Sequence, residues 1–142
     1  KTQRTNRHLL PEALATLSEA HLALGERSEA LAAAQEAISL GSAGGCHYYE
    51  AHGQLALSAA LLATDGDILR AEIESALARA EHLVGLIGAC VLTPQILEKR
   101  GRLAAALGDA AMAGRLFREA LDLYRSIGAR GHAARLEKEL GS

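Results

Sequence analysis

Apolar residues recur along most of this chain at intervals of three and four, the spacing that lines one face of an α-helix. Leu14, Leu17, Ala20, His21 and Leu24 predict a helix over 11–24, with Pro11 in its first turn and Gly25-Glu26 closing it. Ala30, Leu31, Ala34, Ala37 and Ile38 predict a second over 27–40, stopped by the glycine-rich run Gly41-Ser42-Ala43-Gly44-Gly45. Helices over 46–63 and 68–86 follow around the turn Asp65-Gly66-Asp67. Two more, over 93–107 and 110–127, flank Gly108-Asp109, and a last one covers 131–140. Thr93 reads as an N-cap, with Pro94 at the first helical position behind it.

The pattern also repeats. Ile87-Gly88-Ala89 returns as Ile127-Gly128-Ala129, 40 positions on, and the helix before each carries the same spacing: Ile73, Leu77, Ala80, Val84 against Ala113, Phe117, Ala120, Tyr124. Ala30, Ala34, Ala37 and Gly41 form a looser third copy. A self-similar unit of two helices cannot bury its apolar face alone, so stacked copies are required. The expectation is an all-α, right-handed α-solenoid of three helical hairpins plus a C-terminal capping helix. It forms one domain over 1–142, with repeats at 11–45, 46–88 and 93–129 and the cap at 131–140. Alanine at close-approach positions lets neighbouring helices pack at short distance.

Composition narrows the classes further. The chain holds 30 Ala and 25 Leu against two Pro, which excludes an all-β fold, and 49% hydrophobic with 23% charged residues is the balance of a soluble domain. A net charge of −2 argues against nucleic acid held by bulk electrostatics. No apolar run reaches the roughly 18 residues of a membrane span, and no secretory signal follows the polar opening. Cys46 and Cys90 stand 44 positions apart without a CxxC pair, which fits a reducing cytoplasm better than a disulfide framework. The polar opening without an initiator Met reads as a piece of a longer polypeptide.

Leu24-Gly25-Glu26-Arg27-Ser28-Glu29-Ala30-Leu31, and more strongly Leu107-Gly108-Asp109 through Ala113, Phe117, Ala120 and Leu121, resemble the tetratricopeptide (TPR) repeat. There a Gly-Asp-like turn is followed by Ala, an aromatic four residues on, and Ala three further. Ser18 stands where the first helix normally carries Gly, Ala34 stands where an aromatic is usual, and the period exceeds the roughly 34 residues of the standard repeat. These departures, and above all the closing segment 119–140, resemble the elongated arrays in the C-terminal parts of large bacterial signalling ATPases. Those are LuxR-type regulators with an ATPase core and class III adenylate cyclases joined to an ATPase. The resemblance implies a non-catalytic protein-protein interaction or sensor module in a cytoplasmic bacterial signalling protein or transcription regulator. Its partner would be a protein, a peptide or another domain of the same polypeptide.

Candidate chemistry is sparse. Gly41–Gly45 lacks the Gly-Lys-Ser/Thr ending of a phosphate-binding loop and reads as a connector. Cys46 with His47 or His52 could form a thiolate-imidazole pair, so a cysteine-dependent enzyme is one alternative. Positions 47 and 52 do not share a helical face, which favours packing over a metal site or a catalytic pair. Asp65 and Asp67 lack the other ligands of a calcium loop, and His21, His82 and His132 are scattered. Lys1, Arg4 and Arg7, like Arg130, Arg135 and Lys138, form no sustained basic face. No catalytic residue, cofactor, metal, nucleic acid or membrane is therefore expected.

Tyr48-Tyr49, half the aromatic residues of the chain, is a possible partner anchor. In TPR arrays the first helix of each pair lines the concave groove. That order implies Glu12, Ala15 and Glu19, then Gly53, Ala56 and Ala60, then Gln95, Glu98 and Arg102 on the inner side. Glu12, Glu19, Gln95, Glu98 and Arg102 are the polar candidates for partner binding, with three acids to one base favouring a basic or mixed-charge peptide. A structural spacer or self-assembly element is the other alternative.

Overall fold

The computed structural model describes residues 10–88 and 92–141, with side chains from 13 to 88 and 92 to 140. Within them lie seven helices and no strand: α1 (Leu10–Ala23), α2 (Arg27–Ala43), α3 (His47–Asp65), α4 (Arg70–Ile87), α5 (Thr93–Ala106), α6 (Ala110–Ser126) and α7 (Arg130–Gly141). Each helix packs on the next in the chain, and in addition α1 packs on α3 and α3 on α5.

The ends follow local chemistry. After α1, Gly25 takes φ +80°, its N–H reaches the Leu22 carbonyl and the Glu26 N–H reaches that of His21. This is the Schellman arrangement, which needs the left-handed conformation that glycine adopts without a Cβ penalty. The same pair of bonds closes α2, α5 and α6 at Gly45, Gly108 and Gly128. Asp109 caps α6 by accepting from the Met112 N–H at 3.1 Å. Between α3 and α4 the Asp65 carboxylate accepts from the N–H groups of Asp67 and Ile68, an Asx turn in place of a calcium loop.

Three apolar clusters make up the core. The first, between α1, α2 and α3, is Leu14 with Ala15, Ala33, Ala34, Ala37 and Ala56. The second is built on larger side chains, among them Leu55, Ile73, Leu77, Leu83, Leu92 and Ile96. The third joins α6 to α7 through Ala120, Leu121, Tyr124, Ala133 and Leu136. Where alanine fills the core, backbones must come close: a Cβ on Gly41 would lie 2.7 Å from the Glu50 amide nitrogen, and one on Gly53 would lie 2.9 Å from that of Ile38. Between α5 and α6 a large and small pair solves the same problem, since a Cβ on Gly101 would meet the Phe117 ring at 2.8 Å. Between α1 and α2 the buried residues include Ser18 and Ala34, and the Ser18 hydroxyl donates to the Ala30 carbonyl at 2.6 Å.

Four expectations are corrected. The buried stripe of α1 is Leu14, Ala15 and Ser18, while Leu17 and Leu24 are exposed, because α2 and α3 press on the small residues of α1. Helix α2 runs on to Ala43, through the buried Gly41 that allows α3 to approach. Helix α4 begins at Arg70, two residues late, because the Asx turn uses Ile68. Thr93 is the first residue of α5 and caps nothing; burial of Leu92, the N-cap residue, fixes that entry.

Candidate functional site

Helices α1, α3 and α5 border one cleft of about 760 Å³, closed at one end by α6 and α7. Glu19, Leu22 and Ala23 reach it from α1, and Ala59 from α3. Gln95, Glu98, Lys99 and Arg102, one face of α5, form its floor, and Tyr124, His132, Arg135 and Glu139 its end wall. Four of the polar candidates, Glu19, Gln95, Glu98 and Arg102, thus meet in one place. Glu12 belongs to α1, but its side chain lies outside the described residues.

Glu98 is the hub of the end wall. Its side chain is buried between three donors: the Tyr124 hydroxyl at 2.9 Å, Arg102 Nη2 at 2.6 Å, and Arg135, whose two terminal nitrogens each bind one carboxylate oxygen at 2.8 Å. Burial alone would raise its pKa, but the hydrogen bonds from Arg135, Arg102 and Tyr124 outweigh it and hold the carboxyl at about 2. Burial and the adjacent Glu98 charge push the Tyr124 phenol well above its usual range, so it remains a donor. Glu139 accepts from Arg102 at 2.9 Å and from Arg135 at 3.3 Å, completing a quartet of two acids and two guanidinium groups. His132 stacks on the Tyr124 ring with centroids 4.8 Å apart, and its Nδ1 lies 3.1 Å from Arg135.

The quartet revises the charge balance of the groove. Glu98 is consumed by internal pairing, and α5 and α7 add Lys99, Arg135 and Glu139, so the lining holds three acids and three bases. Among the described residues, which leave out the Glu12 side chain, the lining shows no excess of acid. Charge reversal at Glu98 would strike a buried hydrogen-bonded hub, so it cannot serve as a neutral probe of the surface.

Elsewhere the inward assignment fails for the middle helix. Gly53, Ala56 and Ala60 are buried against neighbouring helices, as is Ala15 of α1, and Ala59 faces the cleft instead. Tyr48 and Tyr49 sit in the first turn of α3, half-buried and edge to face with centroids 5.9 Å apart, outside the cleft lining. Tyr48 packs on the central core and sets its ring against His52 at 4.7 Å. Cys46, half-buried, is the N-cap residue of α3 and provides no side-chain cap. Cys90 and the basic opening Lys1, Arg4 and Arg7 lie outside the described residues. Among the described residues no group of three His, Cys, Asp or Glu side chains could hold a metal ion, and no helix is long and apolar enough to cross a membrane.

Sequence reasoning missed Lys99, His132, Arg135 and Glu139. Lys99 was within reach, since it stands one helical turn beyond Gln95 and beside Glu98 on the same face. The other three come from the cap helix, whose approach to α5 no local spacing announces. No family model, curated protein or solved structure matches the chain.

Proposed function

We propose that this chain is a non-catalytic interaction or sensor module, a short TPR-like right-handed α-solenoid of three hairpins and a cap, serving a cytoplasmic bacterial signalling or transcription-regulatory protein. Its working surface is the cleft between α1, α3 and α5. The observation that carries this reading is the convergence of those helices on one open concavity whose end wall is fixed by the Glu98 quartet. A rigid wall with an open mouth suits recognition, because side chains already locked in place lose little entropy when a ligand arrives. The pairing of odd-numbered helices, α1 on α3 and α3 on α5, is the neighbour relation that stacked hairpins require.

The test is capture of partners by immobilised chain and by two variants. Glu19→Lys with Gln95→Arg alters the cleft at exposed or half-buried positions, while Asp122→Arg makes a comparable change on the exposed side of α6. The reading expects the first to abolish a capture that the second preserves. Equal capture by both, or loss on replacing Tyr48 or Tyr49, moves the site to the start of α3.

A further inference from the structure

The four-charge end wall neutralises itself. Glu98 and Glu139 bind Arg102 and Arg135 at 2.6–3.3 Å, so none of these groups brings a free charge to a ligand. Lys99 stands differently. It lines the same cleft from α5, is half-buried, and has no hydrogen bond or ion pair within 4 Å among the described residues, the Glu19 and Glu98 carboxylates acting on it from farther away. Beside it along α5 is the Gln95 side chain, an amide that can donate, and from α1 and α3 the same cleft is lined by the Glu19 carboxylate and the apolar side chains of Leu22, Ala23 and Ala59.

We propose that the cleft is a binding site for a small aliphatic carboxylate. Lys99 pairs with the carboxylate, Gln95 donates a hydrogen bond to it, and the hydrocarbon body lies on Leu22, Ala23 and Ala59. This inference rests on the reading of the cleft as the working surface and adds the class of ligand.

Three features carry it. An unpaired cation in a partly dehydrated cleft lacks the partner that buried charges normally have, and an anion supplies it. Lys99 feels this deficit: burial lowers its pKa below the ordinary lysine range, with Arg102 and Arg135 adding to the effect and Glu19 and Glu98 opposing it. The cavity of about 760 Å³ falls within the roughly 300–1,000 Å³ of small-ligand sites, and within its largely polar lining Leu22, Ala23 and Ala59 supply apolar side chains for the hydrocarbon body. The choice of a carboxylate over a phosphate follows from the donor set, since one ammonium and one amide match a single negative charge, and the guanidinium groups that would fork onto a phosphate are already engaged.

The experiment is a ¹H–¹⁵N NMR titration of the chain with hexanoate, with hexanamide as the uncharged isostere and with an acidic nonapeptide. The same titrations are run on Lys99→Met and Lys99→Arg. The proposal expects saturable hexanoate shifts at residues 22, 23, 59, 95 and 99, none with hexanamide, at least about 10-fold weaker binding in Lys99→Met, and binding restored in Lys99→Arg. Thermal unfolding of Lys99→Met gives an independent check on its folding, because loss of an unpaired charge should raise its midpoint. Hexanoate binding that is equal in Lys99→Met, or absent from the parent chain, overturns the proposal. If the nonapeptide alone shifts the cleft, the small carboxylate is wrong and the cleft reading stands; if no probe shifts it, both fall.

Discussion

Replacing Glu98 by Gln removes one negative charge from a site with two guanidinium groups and a phenol pointing at it. The carboxyl titrates at about 2 against 4.5 in the absence of these contacts. That lowering corresponds to about 3 kcal/mol, which solvent screening at the partly exposed arginines trims toward about 2–3 kcal/mol. The folded pKa lies below the unfolded one, so this stability is fully present above about pH 5 and is lost as pH falls toward 2. Urea unfolding followed by circular dichroism should therefore show Glu98→Gln less stable than the parent by about 2–3 kcal/mol at pH 7, roughly 5–10 °C in thermal midpoint. The gap should shrink to about 1 kcal/mol by pH 3 and close near pH 2. Because Glu98 and its partners all lie on α5, α6 and α7, hydrogen exchange should place the loss there and leave α1 and α2 unchanged. A gap that is equal at pH 7 and pH 3, or no gap at pH 7, would refute the claim that the charge of Glu98 ties α7 to the cleft.

Other substitutions test the packing. Gly41→Ala should cost about 1–3 kcal/mol in urea unfolding, because the added Cβ meets the backbone of α3 at 2.7 Å. Gly85→Ala, in a helix with nothing within 4 Å of the added methyl, should gain about 0.5–1 kcal/mol in the same assay. Lys99→Met should raise the thermal midpoint at neutral pH, since a lysine whose folded pKa is lowered opposes folding while it is charged. Arg79→Met should cost about 1–3 kcal/mol, more than an ordinary surface pair, because it strands the buried Glu50 carboxylate now bonded at 3.0 Å.

The C-terminal half was legible because its signals agree. Ile73, Leu77, Ala80 and Val84 are buried in α4, and Ala113, Ala120 and Tyr124 are buried in α6, as the 40-residue offset implies. The Gly-Asp turn before α6 supplies both a left-handed helix end and a true cap. In α1 the strongest apolar residues misled: Leu17 and Leu24 are exposed because the core there is alanine, and in an alanine core the closest backbone approach decides which face turns inward. The inner side of α3 was misplaced for a related reason, since Gly53, Ala56 and Ala60 are small in order to pack against helices and are therefore buried. On α5, Gln95, Glu98 and Arg102 line one cleft, but no local spacing announces that Glu98 is spent on Arg135, 37 positions away. That pairing depends on how α7 docks on α6 through Tyr124 and Leu136.

A bound protein partner should lie in the cleft between α1, α3 and α5. Site-specific photo-crosslinking addresses this directly, with a photoreactive phenylalanine placed in turn at Gln95 in the cleft, at Tyr49 in the first turn of α3, and at Asp122 on the outer side of α6. The account predicts crosslinks from position 95 that disappear in the Glu19→Lys background, with none from 49 or 122. Crosslinks from 49 or 122 with position 95 silent would contradict it.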